Sequence, residues 1–175
     1  MKKLFALVLS LCLLGSFALA EDGNAITWDQ VAPAVEAANM AGDFVVLDQL
    51  GLKLWVPAQL VPAQVSDEDA AAGRLALYMA EDQSAYLVID AVHVDGMTLD
   101  QAIENAKATM KDVDAVNANG LSGVSYINEA ADIYYFSLVD TNSNIINFSM
   151  GPVSSDPENA KLVFSFIMAS LQPAE

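Results

Sequence analysis

"IYYFSLV", residues 133–139, is apolar on both of its faces. Successive side chains of a strand point to opposite sides, so Ile133, Tyr135 and Val139 share one face and Tyr134, Phe136 and Leu138 the other. A sheet wetted on one side shows a clean alternation of apolar and polar residues instead. The segment therefore predicts a strand covered from above and below. Residues 85–94, "AYLVIDAVHV", repeat the pattern, with Leu87, Ile89 and Ala91 opposite Tyr86, Val88 and Val92. Residues 145–150 do alternate, Asn147 and Ser149 against Ile146, Phe148 and Met150, which predicts an edge or half-exposed strand.

Around these strands lie turn signals and two well-marked helices. Asn119-Gly120, residues 129–132 and residues 141–143 separate strands at 113–116, 121–127, 133–139 and 145–150. Residues 75–79 pair with 85–94 about Asp82-Gln83, and residues 44–47 with 52–56 about Gly51. Thr98 opens a helix with Leu99, Ala102, Ile103, Ala106 and Met110 on one face. Asp156-Pro157-Glu158 supplies the N-cap, first-turn proline and first-turn acid of a closing helix. That helix is apolar nearly all round from Leu162 to Leu171, which implies burial on more than one side.

An earlier helix is predicted from Thr27 to about Met40, starting late or bent at Pro33. Pro57 and Pro62 mark an exit into a loop or helical turn through residues 64–69. Residues 21–25 and the tail from Pro173 look loose. Short connections favour antiparallel pairing. The expected fold class is α+β: an α/β/α sandwich whose mainly antiparallel sheet carries helices on both faces.

The first 20 residues have the layout of a secretory signal peptide. Lys2 and Lys3 precede an apolar run from Leu4 to Leu14, and Ala18-Leu19-Ala20 offers a cleavage site. Cys12, the chain's one cysteine, follows Leu11 where a lipoprotein signal places a small residue. Cleavage after Ala20 removes that thiol and two lysines, taking the formal charge from −16 to −18, because all 23 acidic residues lie beyond it. Five scattered basic residues cannot form the footprint that nucleic acid requires. The expectation is a chain secreted or held at the cell envelope, with no membrane insertion once the leader is gone.

Catalytic chemistry finds little to build on. His93 is the one histidine and reads as a strand residue whose ring is satisfied or partly exposed. Gly120-Leu121-Ser122-Gly123 lacks the Gly-x-Ser-x-Gly spacing of a nucleophile elbow and reads as a hairpin lead-in. With no cysteine beyond the leader and one histidine, soft-metal sites lack ligands. Asp140-Thr141-Asn142-Ser143-Asn144 has oxygen side chains at alternate positions, as calcium loops do. Ile145 stands where such a loop needs glycine, so a hairpin turn is the better reading. Asp67-Glu68-Asp69, and Asp112 with Asp114, read as solvated charges. No catalytic, cofactor-binding or metal residue is assigned and no cofactor is expected.

The run "FVVLDQLGLKLWVPAQL" (44–60) resembles the opening of PsbP-like and Mog-like domains, the group that includes the bacterial DcrB proteins. "NGLSGVSY" (119–126), "IINFSMGPVSSD" (145–156) and a closing helix ending in "MASLQ" extend the resemblance to Gln172. It implies the sandwich fold and a binding role, since PsbP docks on photosystem II and the Mog protein binds the GTPase Ran. The expected organisation is a leader (1–20), an N-terminal helical segment (21–42) and a PsbP/Mog-like domain (43–175), the last two forming one globular unit.

The expected function is a non-catalytic binding or accessory protein whose partner is a protein or small ligand. The candidate partner surface is the apolar lip at Trp55, Pro57, Leu60 and Pro62. A strand entering the core is the competing reading of that lip. Two alternatives stay open: a carboxylate-based enzyme acting on polysaccharide, and a calcium-dependent binding domain.

Overall fold

The computed structural model describes residues 26–174, so the expected leader lies outside the described residues. In chain order the elements are α1 (Trp28–Ala37), β1 (Gly42–Leu47), β2 (Leu52–Pro57), β3 (Leu60–Pro62), α2 (Asp67–Ala71), β4 (Arg74–Ala80), β5 (Tyr86–His93), α3 (Leu99–Thr109), β6 (Lys111–Ala118), β7 (Leu121–Asn128), β8 (Ile133–Val139), β9 (Asn144–Gly151), α4 (Pro157–Ala169) and β10 (Gln172–Pro173). The strands form an antiparallel seven-stranded sheet, ordered β3-β4-β5-β9-β8-β7-β6, and a smaller one, β1-β2-β10.

The predicted Asp156 cap forms, and Thr98 caps the helix it opens. The Thr98 hydroxyl accepts the Gln101 N–H at 3.3 Å, and the Gln101 side chain accepts the Thr98 N–H at 2.9 Å. Asp156 caps α4 through the Asn159 N–H at 3.3 Å, with Pro157 at the first position, where a missing N–H costs nothing. α1 does not start late. It begins at Trp28, the Gln30 side chain accepts the Thr27 N–H at 3.1 Å, and Pro33 sits inside the helix.

α3 lies across β6, β7 and β8 on one face of the large sheet. α4 lies on the other face, against β8 and β9, and its far side meets β2 and α1. This explains why α4 has almost no polar face: Phe164, Phe166, Ile167 and Met168 are all buried between the large sheet and the small sheet with α1. The fold is the expected α+β sandwich, with a second sheet added outside one helix layer. No helix among the described residues is long and apolar enough to cross a membrane.

Three segments depart from expectation. β9 is the central strand and not an edge, because its polar residues have partners on the face away from α4. Ser137, 2 % exposed, donates to Asn147 Oδ1 at 2.6 Å and shares a 3.2 Å hydrogen bond with the Tyr126 hydroxyl. The Tyr126 and Tyr135 rings stack beside them at 5.1 Å. A hydrogen-bonded Ser and Asn can sit in a covered strand without the cost of unpaired polar groups. Next, residues 60–62 are not loop but strand, pairing with β4 at the sheet edge, where a proline is tolerated. Finally, the tail is fixed: Gln172 and Pro173 pair with Lys53 and Leu52, and the Ala174 N–H donates to the Gly51 carbonyl at 2.9 Å.

Candidate functional site

Three of the four candidate lip residues, Trp55, Pro57 and Leu60, are buried. Trp55 is 4 % exposed and Leu60 7 %, Pro57 is buried, and Pro62 alone reaches the surface. The cause is packing on β2: α4 lies against the strand and Trp28 of α1 covers Trp55, while Leu60 belongs to β3 and is buried with the core of the large sheet. Trp28 packs against Trp55 at 5.6 Å and against Phe44 at 5.3 Å, edge-on. The four residues therefore do not form one exposed surface.

His93 is exposed near the end of β5, held by two oxygens. Nε2 lies 2.9 Å from Asp95 Oδ1 and Nδ1 lies 3.2 Å from Asn144 Oδ1. The Asn144 amide donates its own N–H to Asp140 Oδ2 at 2.7 Å, which leaves its oxygen to accept from the ring. With an acceptor at each nitrogen, the imidazolium is the form that fits, and the Asp95 carboxylate, followed by Asn144, raises the histidine above its usual value.

Asp140 is the organiser of the β8–β9 turn. Its carboxylate accepts the N–H groups of Asn142 at 2.8 Å and Asn144 at 2.9 Å. These bonds, with the Asn144 side chain contributing most, hold its carboxyl below the ordinary value. Asp132 does the same work elsewhere, accepting from Ser154 Oγ at 2.6 Å, Ser154 N–H at 2.8 Å and Val153 N–H at 3.1 Å.

The glycines of "NGLSG" are structural. Asn119 and Gly120 both have positive φ, 51° and 88°, as the hairpin turn requires. A side chain at Gly123 would meet the Ser137 carbonyl at 2.6 Å and the Phe136 ring at 2.7 Å. Asp69 is committed to Arg74, at 2.8 Å, and Arg74 also donates to Asp90 at 3.2 Å. Among the described residues no three His, Cys, Asp or Glu side chains converge on one point.

A concave site does exist, in a place the sequence reading did not mark. It is a cleft of about 410 Å³ between α4 and the β6–β8 half of the large sheet. α4 crosses near β8 and β9 and leaves the inner face of β6 and β7 partly uncovered. On the strand side lie Val116, Ser125, Ile127, Tyr134 and Phe136; on the helix side lie Lys161, Phe164 and Met168. Tyr134 and Phe164 stack across it with ring centroids 6.1 Å apart.

The two ends of the cleft differ. Asp112 and Asp114 open it at the start of β6, where the β6–β7 register shifts between Lys111 and Asp114 and Asp112 adopts φ 49°. Such a bulge re-aims side chains at a sheet rim. The Tyr134 hydroxyl lies at this end: burial pushes it above its usual value, and the charges of Asp112 and Glu158 push the same way. At the opposite end Ile26, bridged to Ala118, joins Met168 and Ala169 in an apolar base. A volume in the range of small-molecule sites, apolar walls and a few polar groups at one end suit it to binding.

A seven-stranded antiparallel sheet between helices, with a small sheet and leading helix outside the closing helix, is a fold like that of PsbP. Among solved structures the chain is similar to cyanobacterial PsbP (CyanoP) from Synechocystis, with a TM-score of 0.54 and 12 % identity over 91 % of this chain and 98 % of that one. The Ran-binding protein Mog1p of Saccharomyces cerevisiae superposes more loosely, with a TM-score of 0.45 and 14 % identity over 78 % of this chain and 97 % of that one. At these identities the likeness is one of fold. No protein-family model matches the chain, and no curated protein matches it in sequence.

Proposed function

We propose that this is an exported, non-catalytic binding or accessory protein whose binding site is the cleft between α4 and β6–β8. The observation that carries the reading is the cleft itself, about 410 Å³ and apolar along its walls. Trp55, Pro57 and Leu60 are core, His93 is tied to Asp95 and Asn144, and Asp140 holds a turn. Export is supported by the leader pattern of residues 1–20 and the strongly acidic remainder. The PsbP-like fold agrees with a binding role by analogy alone.

The test is binding of a neutral environment-sensitive dye, Nile red, to protein recovered from expression of the full chain. The dye's emission should rise and shift to the blue with the natural sequence. It should fall back with Ser125→Phe, which places a ring in the half-buried strand wall of the cleft. An unchanged signal in that variant would move the site elsewhere. Terminal sequencing of exported protein should begin at Glu21; retention of the intact chain in the cytoplasm would overturn the export reading.

A further inference from the structure

Resting on the cleft as the binding site, we propose that its ligand is an amphiphilic organic cation: an apolar chain or ring system ending in an ammonium group. The apolar part lies against Val116, Phe136 and Met168, and the ammonium sits at the mouth by Asp112 and Asp114.

The polarity gradient along the cleft argues for this class. Moving along β6 from Asp114 to Val116 to Ala118, one wall passes from charged to fully apolar. A ligand that spans the cleft from its apolar base to its mouth is amphiphilic, because an apolar group reaching the carboxylates would strip water from them without replacing it. The sign follows from the charges. Asp112 and Asp114 line the mouth and Glu158 acts on the same Tyr134 hydroxyl, against one cation, Lys161. Lys111 beside them is paired with Glu129 at 2.7 Å. The whole chain adds a field of the same sign, with a formal charge of −16, which draws cations inward and repels anions. The stacked Tyr134 and Phe164 rings add faces that attract an ammonium.

Three probes separate the contributions: decylammonium, decanoate of the same chain length, and neutral Nile red, all below their aggregation limits. Calorimetric titration should show decylammonium binding about tenfold more tightly than decanoate, a preference that shrinks as salt is added. The double variant Asp112→Asn/Asp114→Asn should lose that preference while still taking up Nile red; asparagine tolerates the left-handed backbone at position 112. Lys161→Gln, an exposed substitution, should raise the preference.

If Nile red binds but decylammonium and decanoate bind equally, or decanoate binds better, the cation assignment fails and the cleft reading stands. If none of the three binds to protein that is folded by circular dichroism, both fail. If a basic, leucine-rich peptide displaces Nile red where decylammonium does not, the occupant is a protein segment and the small-molecule assignment is overturned.

Discussion

The Trp55 N–H donates to the Ser170 hydroxyl at 2.7 Å, across 115 residues of sequence, and the same hydroxyl donates to the Ile167 carbonyl at 2.6 Å. β10 covers β2 at Lys53 and Leu52 and stops there, so the Trp55 N–H has no strand opposite it on that side. One serine, at the C-cap of α4, completes the ladder and satisfies the helix end together. Ser170 is fully buried, so neither partner can turn to water instead.

Replacing Ser170 with Ala should therefore destabilise the protein by about 1–3 kcal/mol, the cost of a buried donor left unpaired. Urea unfolding measures it, with Ser165→Ala as the comparison. Ser165 donates to the Lys161 carbonyl on α4 from a position nearer solvent, and its loss should cost about 0.5 kcal/mol or less. Equal midpoints for the two variants would show that the Ser170 bridge contributes nothing.

Trp55 and Pro62 should part company. Trp55→Ala empties a site packed against Trp28 and should cost about 3–5 kcal/mol. Pro62→Ser, on an exposed edge, should stay within about 0.5 kcal/mol of the natural sequence. Thermal unfolding distinguishes them, and a mild Trp55 variant would reopen the case for an exposed aromatic lip.

The His93 ring should titrate above the ordinary histidine value of about 6.5, visible in the NMR shifts of its carbon-bound protons. Asp95→Asn should bring the midpoint back down, since Asp95 is the larger cause. The folded value is the raised one, so the stabilisation is complete below the unfolded value and is lost as pH rises through the folded one. The melting-temperature gap between natural sequence and Asp95→Asn should be present at pH 5.5 and gone well above the folded midpoint. A gap that widens with pH would contradict the pairing.

Asp132 behaves in the opposite sense. Hydrogen bonds from Ser154, side chain first, and from Val153 lower its carboxyl. Its contribution is present above the unfolded value of about 3.9 and is lost as pH falls through the lowered folded one. Asp132→Asn, which keeps a residue tolerant of the left-handed backbone at φ 61°, should lower the melting temperature at pH 7, and that gap should close progressively below pH 4. A gap that persists undiminished at pH 2 would mean that the charge of Asp132 plays no part.

Much of the fold was legible because its signals are local. The Thr98 and Asp156 caps, the Asn119-Gly120 turn and the two-faced strand at 133–139 each depend on residues within a few positions of one another. What failed depended on partners far along the chain. The alternation of residues 145–150 suggested an edge because the sequence does not reveal that β5, more than fifty residues earlier, pairs along the other side of the strand. The tail from Pro173 appeared loose because its pairing partner in β2, Leu52, lies more than a hundred residues earlier. The cleft had a faint signal in β6, where polarity changes along one face of the strand instead of between faces. Asp112 and Asp114 are exposed, as expected of solvated charges, but a periodicity of two detects only the second kind of pattern and so did not mark them as the mouth of a cleft.

The placement of β10 sets the order in which the protein can be completed. β1 and β2 leave the ribosome early, yet their third strand, the serine bridge to Trp55 and the helix that fills the space between the sheets all come from residues 157–173. Until those emerge, the small sheet is a two-stranded hairpin, marginal by itself. Contacts of such long sequence separation close slowly. The small sheet is therefore completed late in synthesis, only after residues 157–173 are available to close it.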